Sequence, residues 1–224
     1  MEFFDAITGL FLQFIDLVLH LDKHLAVLVQ QYGPWIYAIL FFIVFAETGF
    51  VVVPFLPGDS LLFVAGALAA IGDMALMPLM LSLSLAAVLG NSLNYVIGRW
   101  FGHRILAWEH PLARRIINRA ALAKTHAFFE AHGGKTLVIS HFLPLLRTFA
   151  PFVAGMGEMG YGRFTFFNLV GGFSWVVSLS LAGYWFGNLP VIKNNLSAVV
   201  VGIIVVSLLP AIIGFLKARK ADSQ

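Results

Sequence analysis

Four ionisable residues interrupt apolar stretches of this sequence, and their side chains could carry chemistry. Glu47 and Asp59 lie in one stretch, and His141 and Arg147 lie in a later one. A charged side chain at the bilayer centre costs about 2.5–3.5 kcal/mol on insertion scales, so such residues are functional candidates. A guanidinium matches the oxygens of a phosphate, and a carboxyl or imidazole group could exchange protons. One hypothesis is therefore a site for a phosphate-bearing lipid that is moved with proton coupling.

Two other interpretations of these residues stay open. The groups could pair only with one another and hold the two stretches together. They could also form a proton-coupled antiporter of a small cation or osmolyte, in which the acids bind the substrate and Arg147 assists proton release. A membrane-embedded hydrolase is not favoured, because the sequence has neither G-x-S-x-G nor H-E-x-x-H and Ser60 has no evident base. We therefore expect no enzyme, no metal and no cofactor.

Prolines and glycines interrupt both stretches. They are Pro54, Pro57 and Gly58 in the first, and Pro144, Pro151 and Gly155 in the second. A proline removes a backbone donor and crowds the preceding turn, and an interrupted backbone at membrane depth must be buried in protein or line a wet cavity. The pattern predicts two re-entrant hairpins, at 36–71 and 136–160. Asp59 is also placed to be an N-cap of the second arm of the first hairpin.

The composition is that of an all-α polytopic membrane protein. Of the 224 residues, 60% are hydrophobic and 11% are charged, whereas soluble domains carry about 25% charged residues. The sequence has no cysteine, which excludes disulfides and thiolate sites. A net charge of +3 is small and does not suggest nucleic-acid binding. We expect a single membrane domain over 1–224.

The hairpins are predicted to alternate with full spans. The predicted spans are 79–101, 163–187 and 197–216, with an interfacial amphipathic helix at 1–34 and a basic linker at 102–135. Small residues recur at every fourth position of the 79–101 span, which predicts that this face packs on the hairpins. Asn91 and Asn94 are expected to hydrogen-bond across that contact.

Charge sets the predicted topology. The positive-inside rule places the basic linker and the basic C-terminus in the cytoplasm. With both of these segments inside, the chain contains a hairpin followed by a span twice, and the two copies have opposite orientations in the membrane. An inverted repeat of broken helices is typical of secondary transporters, whose site lies where the repeats meet.

Four stretches of the sequence resemble the DedA family of bacterial inner-membrane proteins, within the VTT-domain superfamily. They are E-T-G-x-x-x-x-P-F-L-P-G-D-S-L-L-F-V-A-G-A-L (47–68), N-Y-V-I-G-R (94–99), H-G-G-K-T (132–136) and R-T-F-A-P-F-V-A-G-M-G (147–157). The resemblance covers nearly the whole chain. It implies two facing re-entrant hairpins and a role in membrane-lipid homeostasis. Family members are understood to use the proton motive force to recycle undecaprenyl phosphate, and superfamily relatives scramble phospholipids.

The resemblance also implies roles for individual residues. The family's essential acids correspond to Glu47 and Asp59, which would couple protons, and one essential arginine corresponds to Arg147, which would hold phosphate with help from His141. The family usually has Arg where this chain has His141, and Asp where it has Asn91. If those two pair in relatives, replacing both leaves no unpaired buried charge. The expected partners are a polyprenyl-phosphate or phospholipid substrate, membrane lipids and protons, with homo-oligomerisation left open.

Overall fold

The computed structural model describes residues 21–50, 58–107, 129, 132–157, 159–187, 189–193, 198–199, 201–203 and 205–206. Within these ranges the regular secondary structure is entirely helical, which confirms the predicted class. The helices are α1 (Leu21–Tyr32), α2 (Ile36–Gly49), α3 (Gly58–Ala70), α4 (Leu76–Ala107), α5 (Lys135–Ser140), α6 (Pro144–Met156), α7 (Tyr161–Gly187) and α8 (Pro190–Lys193), with a 3-10 turn at Gly33–Trp35.

The described residues include helical stretches long and apolar enough to cross a membrane. There are three in that part of the chain: His24–Gly49, Leu76–Phe101 and Tyr161–Gly187. The last two contain the predicted spans 79–101 and 163–187, so this is a membrane protein. Three other predictions lie wholly or mostly outside the described residues, namely the first part of the 1–34 helix, the 102–135 linker and the 197–216 span.

The stretch His24–Gly49 differs from the sequence-based prediction, which ends an interfacial helix at residue 34 and begins a hairpin at 36. In the structure the 3-10 turn joins α1 to α2. Pro34 stands at the start of that turn, where a helical backbone donor is not needed. The N–H of Ile36 donates to the carbonyls of Gly33 and Pro34, so the helical run continues past the proline.

The structure describes the two interruptions to different extents. α2 ends at Gly49 and α3 begins at Gly58, and most of the intervening residues, 51–57, lie outside the described residues. The second interruption is only the short connection between α5 and α6, because α6 begins at Pro144. The prediction that Pro151 also breaks this segment is wrong, since Pro151 lies inside α6.

The chain forms two compact units. The first comprises Met1–Ile36, Pro57–Leu79 and Ser178–Gln224, and the second comprises Tyr37–Leu56 and Met80–Val177. In the first unit, α3 packs against the C-terminal part of α7 with the backbones in close contact. A Cβ at Gly66 would overlap the carbonyl of Ser180, and one at Gly183 would overlap the carbonyl of Phe63.

In the second unit, α4 packs on both α2 and α6 through its small residues. A Cβ at Gly90 would overlap Thr48 Oγ1 and crowd the carbonyl of Phe45, both in α2. A Cβ at Gly98 would overlap the carbonyl of Phe152 in α6. The prediction that the small-residue face of this span packs on the interrupted segments is therefore confirmed at these positions.

Candidate functional site

Two of the predicted site residues form a buried ion pair within the second unit. Glu47 lies in the last turn of α2, and Arg147 lies in the first turn of α6. Arg147 Nη2 is 2.5 Å from Glu47 Oε1, and the two side chains are 6% and 2% exposed. The expected meeting of an acid from the first interrupted segment with a base from the second is confirmed for this pair.

Each charge of this pair lies at the end of its helix that disfavours it. The C-terminus of a helix carries partial negative charge and its N-terminus carries partial positive charge. Glu47 is at the C-terminal end of α2 and Arg147 is near the N-terminus of α6, so each relies on the other for compensation. The N-terminal dipole of α6 favours an anion beside Arg147.

Trp175 supplies a further contact to the cation. The Cζ atom of Arg147 lies 4.5 Å from the centroid of the Trp175 ring, and this side chain is fully buried. A desolvated cation–π contact is worth up to about 2 kcal/mol. Trp175 is not among the site residues expected from the sequence, because a tryptophan in an apolar span gives no sign of facing a guanidinium.

A hydrogen-bonded chain of side chains surrounds His141. Asn91 Nδ2 is 2.9 Å from His141 Nε2 and 2.9 Å from Asn168 Oδ1. His141 Nδ1 is 2.6 Å from the carbonyl of Leu137, and Asn168 Nδ2 donates to the carbonyl of Val88 at 3.0 Å. The predicted hydrogen bonding of Asn91 across helices is confirmed. Phosphate binding by His141 stays a prediction that would require at least one of its ring contacts to break.

Asn168 was missed by the sequence analysis, although a usable signal existed. It is a polar residue inside the membrane-length helix Tyr161–Gly187 and is fully buried. A buried amide needs hydrogen-bonding partners, so a polar residue on one span implies a polar residue facing it. Comparing the polar residues of the two spans would have paired Asn168 with Asn91 as a candidate.

Asn94 joins α2 to α6. Its Nδ2 atom donates to the carbonyl of Thr48 at 3.3 Å and to the carbonyl of Thr148 at 2.8 Å. Thr48 lies in the last turn of α2, where carbonyls lack helical donors. Thr148 lies in the first half of α6, three residues before Pro151. Asn94 therefore ties the last turn of α2 to α6.

Asp59 is placed in a different unit from Glu47, His141 and Arg147. It lies in the first turn of α3 and is partly buried, directly after the buried Gly58. The N-terminal turn of a helix favours an acidic side chain through the helix dipole. Its proposed role in proton coupling stays a prediction, and Pro54 and Pro57 lie outside the described residues.

The remaining predicted residues of the second segment have local structural roles. Pro144 is the first residue of α6, where its fixed φ suits the start of a helix. A Cβ at Gly155 would overlap the carbonyl of Tyr95. Gly155 therefore allows α6 to approach the backbone of α4 closely.

The second unit also contains a cavity of about 320 Å³ at the opposite end of α6 from Arg147. Its lining includes Gly133, Val153, Met159 and Arg163. None of the predicted site residues described in the structure lines it. Because the buried ionisable groups lie elsewhere, we take the Glu47–Arg147 pair and its neighbours, rather than this cavity, as the candidate site.

Comparison with known proteins gives consistent matches along the chain. The VTT domain family model matches residues 56–185. The chain is 50% identical to Protein DedA of Escherichia coli (strain K12) over 212 residues, which covers 94% of this chain and 95% of that protein. It is 40% identical over 182 residues to an uncharacterized membrane protein of Mycobacterium leprae, covering 81% and 80% of the two chains. It is 39% identical over 158 residues to the inner membrane protein YqjA of Escherichia coli (strain K12), covering 70% of each. No solved structure matches the chain.

Proposed function

Because this chain belongs to the DedA family of VTT-domain membrane proteins, we propose that it is a proton-coupled transporter of a phosphate-bearing lipid. The observation that carries the proposal is the buried ion pair between Glu47 and Arg147. The lipid class follows from the family resemblance, which favours undecaprenyl phosphate or a related phospholipid in the bacterial inner membrane. The protein would move this substrate without making or breaking covalent bonds other than those to protons.

Exchange at the ion pair would couple the proton to the lipid. In the resting state the carboxylate of Glu47 neutralises Arg147. When a singly charged phosphate group binds Arg147, Glu47 takes up one proton, so that no buried charge is left uncompensated. Release of the phosphate and loss of the proton restore the pair. One proton would therefore bind for each negative charge that enters the site, and a proton gradient could drive the movement.

The contacts of Arg147 suit such an exchange. The face of the guanidinium lies against Trp175, whereas hydrogen bonds to carboxylate or phosphate oxygens form along its edges. Trp175 can thus keep the guanidinium in place while the anionic partner changes. The N-terminal dipole of α6 favours an anion beside Arg147, whether that anion is the carboxylate of Glu47 or a phosphate group.

We assign the second proton-coupling role to Asp59, by the resemblance of its motif to the family's. We also propose that 36–71 and 136–160 are oppositely oriented re-entrant hairpins of an inverted repeat, with the C-terminus in the cytoplasm. Support comes from the order of a helix, an interruption and a second helix in both segments. It also comes from the ion pair that joins the first arm of one segment to the second arm of the other.

A reconstituted transport assay tests this function. Proteoliposomes would carry undecaprenyl phosphate, and a membrane-impermeant phosphatase would report the lipid in the outer leaflet, with and without an imposed pH gradient. The wild type should move the lipid in response to the gradient, and Glu47→Gln should abolish that response. Asp73→Asn is the matched control, because Asp73 is an exposed acid in a turn.

The outcomes separate the alternatives. Movement that ignores the gradient would indicate scrambling, and a folded protein that moves no lipid would favour the cation or osmolyte antiporter.

The variant Arg147→Lys separates the two transporter hypotheses further, because lysine keeps the charge and loses the planar fork. A phosphate transporter should lose most of its activity, whereas an antiporter should tolerate the change. Arg163→Lys, at an exposed arginine, is the control.

A further inference from the structure

The surroundings of His141 determine where its ring carries a proton. The carbonyl of Leu137 lies 2.6 Å from His141 Nδ1, and a carbonyl oxygen can only accept a hydrogen bond. Nδ1 must therefore be the donor in this contact. An imidazole with its proton only on Nε2 would place two acceptors against each other.

The hydrogen bonds on the other side of the ring determine whether Nε2 donates or accepts. The carbonyl of Val88 accepts a hydrogen bond from Asn168 Nδ2 at 3.0 Å, which orients Asn168 so that its Oδ1 faces Asn91. Asn91 must then present Nδ2 to Asn168, and the same NH2 group is 2.9 Å from His141 Nε2. Because Asn91 Nδ2 has two hydrogens, it can donate to both neighbours. Nε2 therefore has to accept.

We propose that Asn168 is a positioning residue which, through Asn91, holds His141 neutral with its proton on Nδ1. The chain of hydrogen bonds begins and ends on backbone carbonyls, so neither end can reverse its direction. His141 is then a fixed neutral group beside the ion pair, and not a second cation of the site. This assignment rests on hydrogen-bond geometry and holds whether or not the proposed transport is correct.

A proton added to His141 would have to break this chain. An N–H at Nε2 would face the NH2 group of Asn91, which would have to rotate. The rotated Asn91 would turn its oxygen toward Asn168 Oδ1, and rotating Asn168 as well would turn an oxygen toward the carbonyl of Val88. After each of these rotations, one unfavourable contact remains, either between two donors or between two acceptors. Protonation therefore loses at least one buried hydrogen bond wherever the rotation stops.

The other groups around the ring do not offset this loss. From α6, the positive charge of Arg147 opposes a second positive charge on His141, and Arg147 is itself paired with Glu47. From α7, Gly171 and Trp175 face the ring, with the centroids of His141 and Trp175 6.4 Å apart. A Cβ at Gly171 would lie 2.6 Å from Nδ1, so the glycine makes room for the imidazole. α4 and α5 face it with Asn91 and the Leu137 carbonyl, both neutral.

Histidine nitrogen NMR on the full-length protein in detergent micelles tests the proposal directly. Protein labelled with 15N-histidine would be measured between about pH 6 and 8, the range in which an ordinary histidine titrates. The His141 signals are identified by their loss in His141→Gln. We expect one neutral tautomer, protonated on Nδ1, throughout this range. An Nε2-protonated or doubly protonated His141 at pH 7 would overturn the proposal.

Variants test the role of Asn168 itself. Asn168→Ala removes the acceptor that orients Asn91, so the amide can rotate and His141 should begin to titrate within this range. Asn91→Asp is nearly isosteric and puts a carboxylate against Nε2, so it should convert His141 to the imidazolium form. Thr165→Ala is the control, because its hydroxyl donates only within α7. Unchanged His141 signals in folded Asn168→Ala, or in Asn91→Asp, would contradict the proposal.

Discussion

Among the residues that the structure describes, the helix contacts that stand out differ between the two compact units. In the first unit, α3 meets α7 through glycines such as Gly66 and Gly183, which let the backbones approach closely. In the second unit, α4 also uses glycines, and a buried ion pair and three hydrogen-bonded asparagines are added. Small residues alone suffice for close helix contacts in a membrane. The polar groups of the second unit therefore exceed what packing requires, which supports placing the candidate site among them.

The largest expected effect comes from breaking the ion pair on one side. Arg147→Met leaves the carboxylate of Glu47 buried without its cation, and we expect a loss of about 3–5 kcal/mol in the free energy of unfolding. The double variant Glu47→Gln, Arg147→Met should recover most of that stability but not transport. Denaturant titration in detergent measures the first quantity and the proteoliposome assay the second. A double variant no more stable than Arg147→Met would show that the pair is needed for folding itself.

A second cation at position 141 tests whether the residues at positions 141 and 91 compensate each other. His141→Arg would face the NH2 group of Asn91 and lie beside Arg147, and we expect a loss of about 3 kcal/mol because a charged donor is left unsatisfied. Adding Asn91→Asp supplies a carboxylate and should restore the stability. Thermal unfolding of the wild type, the single variant and the double variant measures this. Equal stability of the single and double variants would rule out compensation between the two positions.

The glycine contact of the first unit predicts a smaller effect on stability and none on proton coupling. Gly183→Ala would put a Cβ into the carbonyl of Phe63, and such overpacking costs about 1–3 kcal/mol. Gly162→Ala on the same helix is the control, since nothing lies within 4 Å of its Cβ, and it should gain up to about 1 kcal/mol from helix propensity. Similar melting temperatures for the two variants would argue against tight packing at Gly183.

The smallest effect is expected at Trp175. Trp175→Phe keeps an aromatic ring but weakens the contact with the guanidinium, and we expect a loss of about 0.5–1 kcal/mol in stability. Lipid transport should need a higher substrate concentration for half-maximal rate, because Arg147 is less well held during exchange. Trp185→Phe is the control, since Trp185 is on the same helix and 66% exposed. The same transport kinetics for both variants would remove Trp175 from the site.

Much of the architecture could be predicted from the residue pattern. The spans 79–101 and 163–187 were recognisable because a membrane helix must be apolar over its whole length. The role of the small-residue face was recognisable from its four-residue spacing, which places these residues on one side of a helix. Pro151 was misjudged because a proline in a membrane helix can be accommodated by the helices packed around it, and α6 continues through it.

The sequence by itself determined that this is a helical membrane protein of the DedA family, with Glu47 and Arg147 as candidate residues. These conclusions depend on composition, on motifs and on the cost of charge in a membrane, which act locally along the chain. Only the tertiary structure decided that Glu47 and Arg147, separated by 100 positions, share one contact, that Trp175 lies against Arg147, and that Asn168 hydrogen-bonds with Asn91. Periodicity shows which face of a helix is buried, but the distant polar group that meets it depends on how the helices pack.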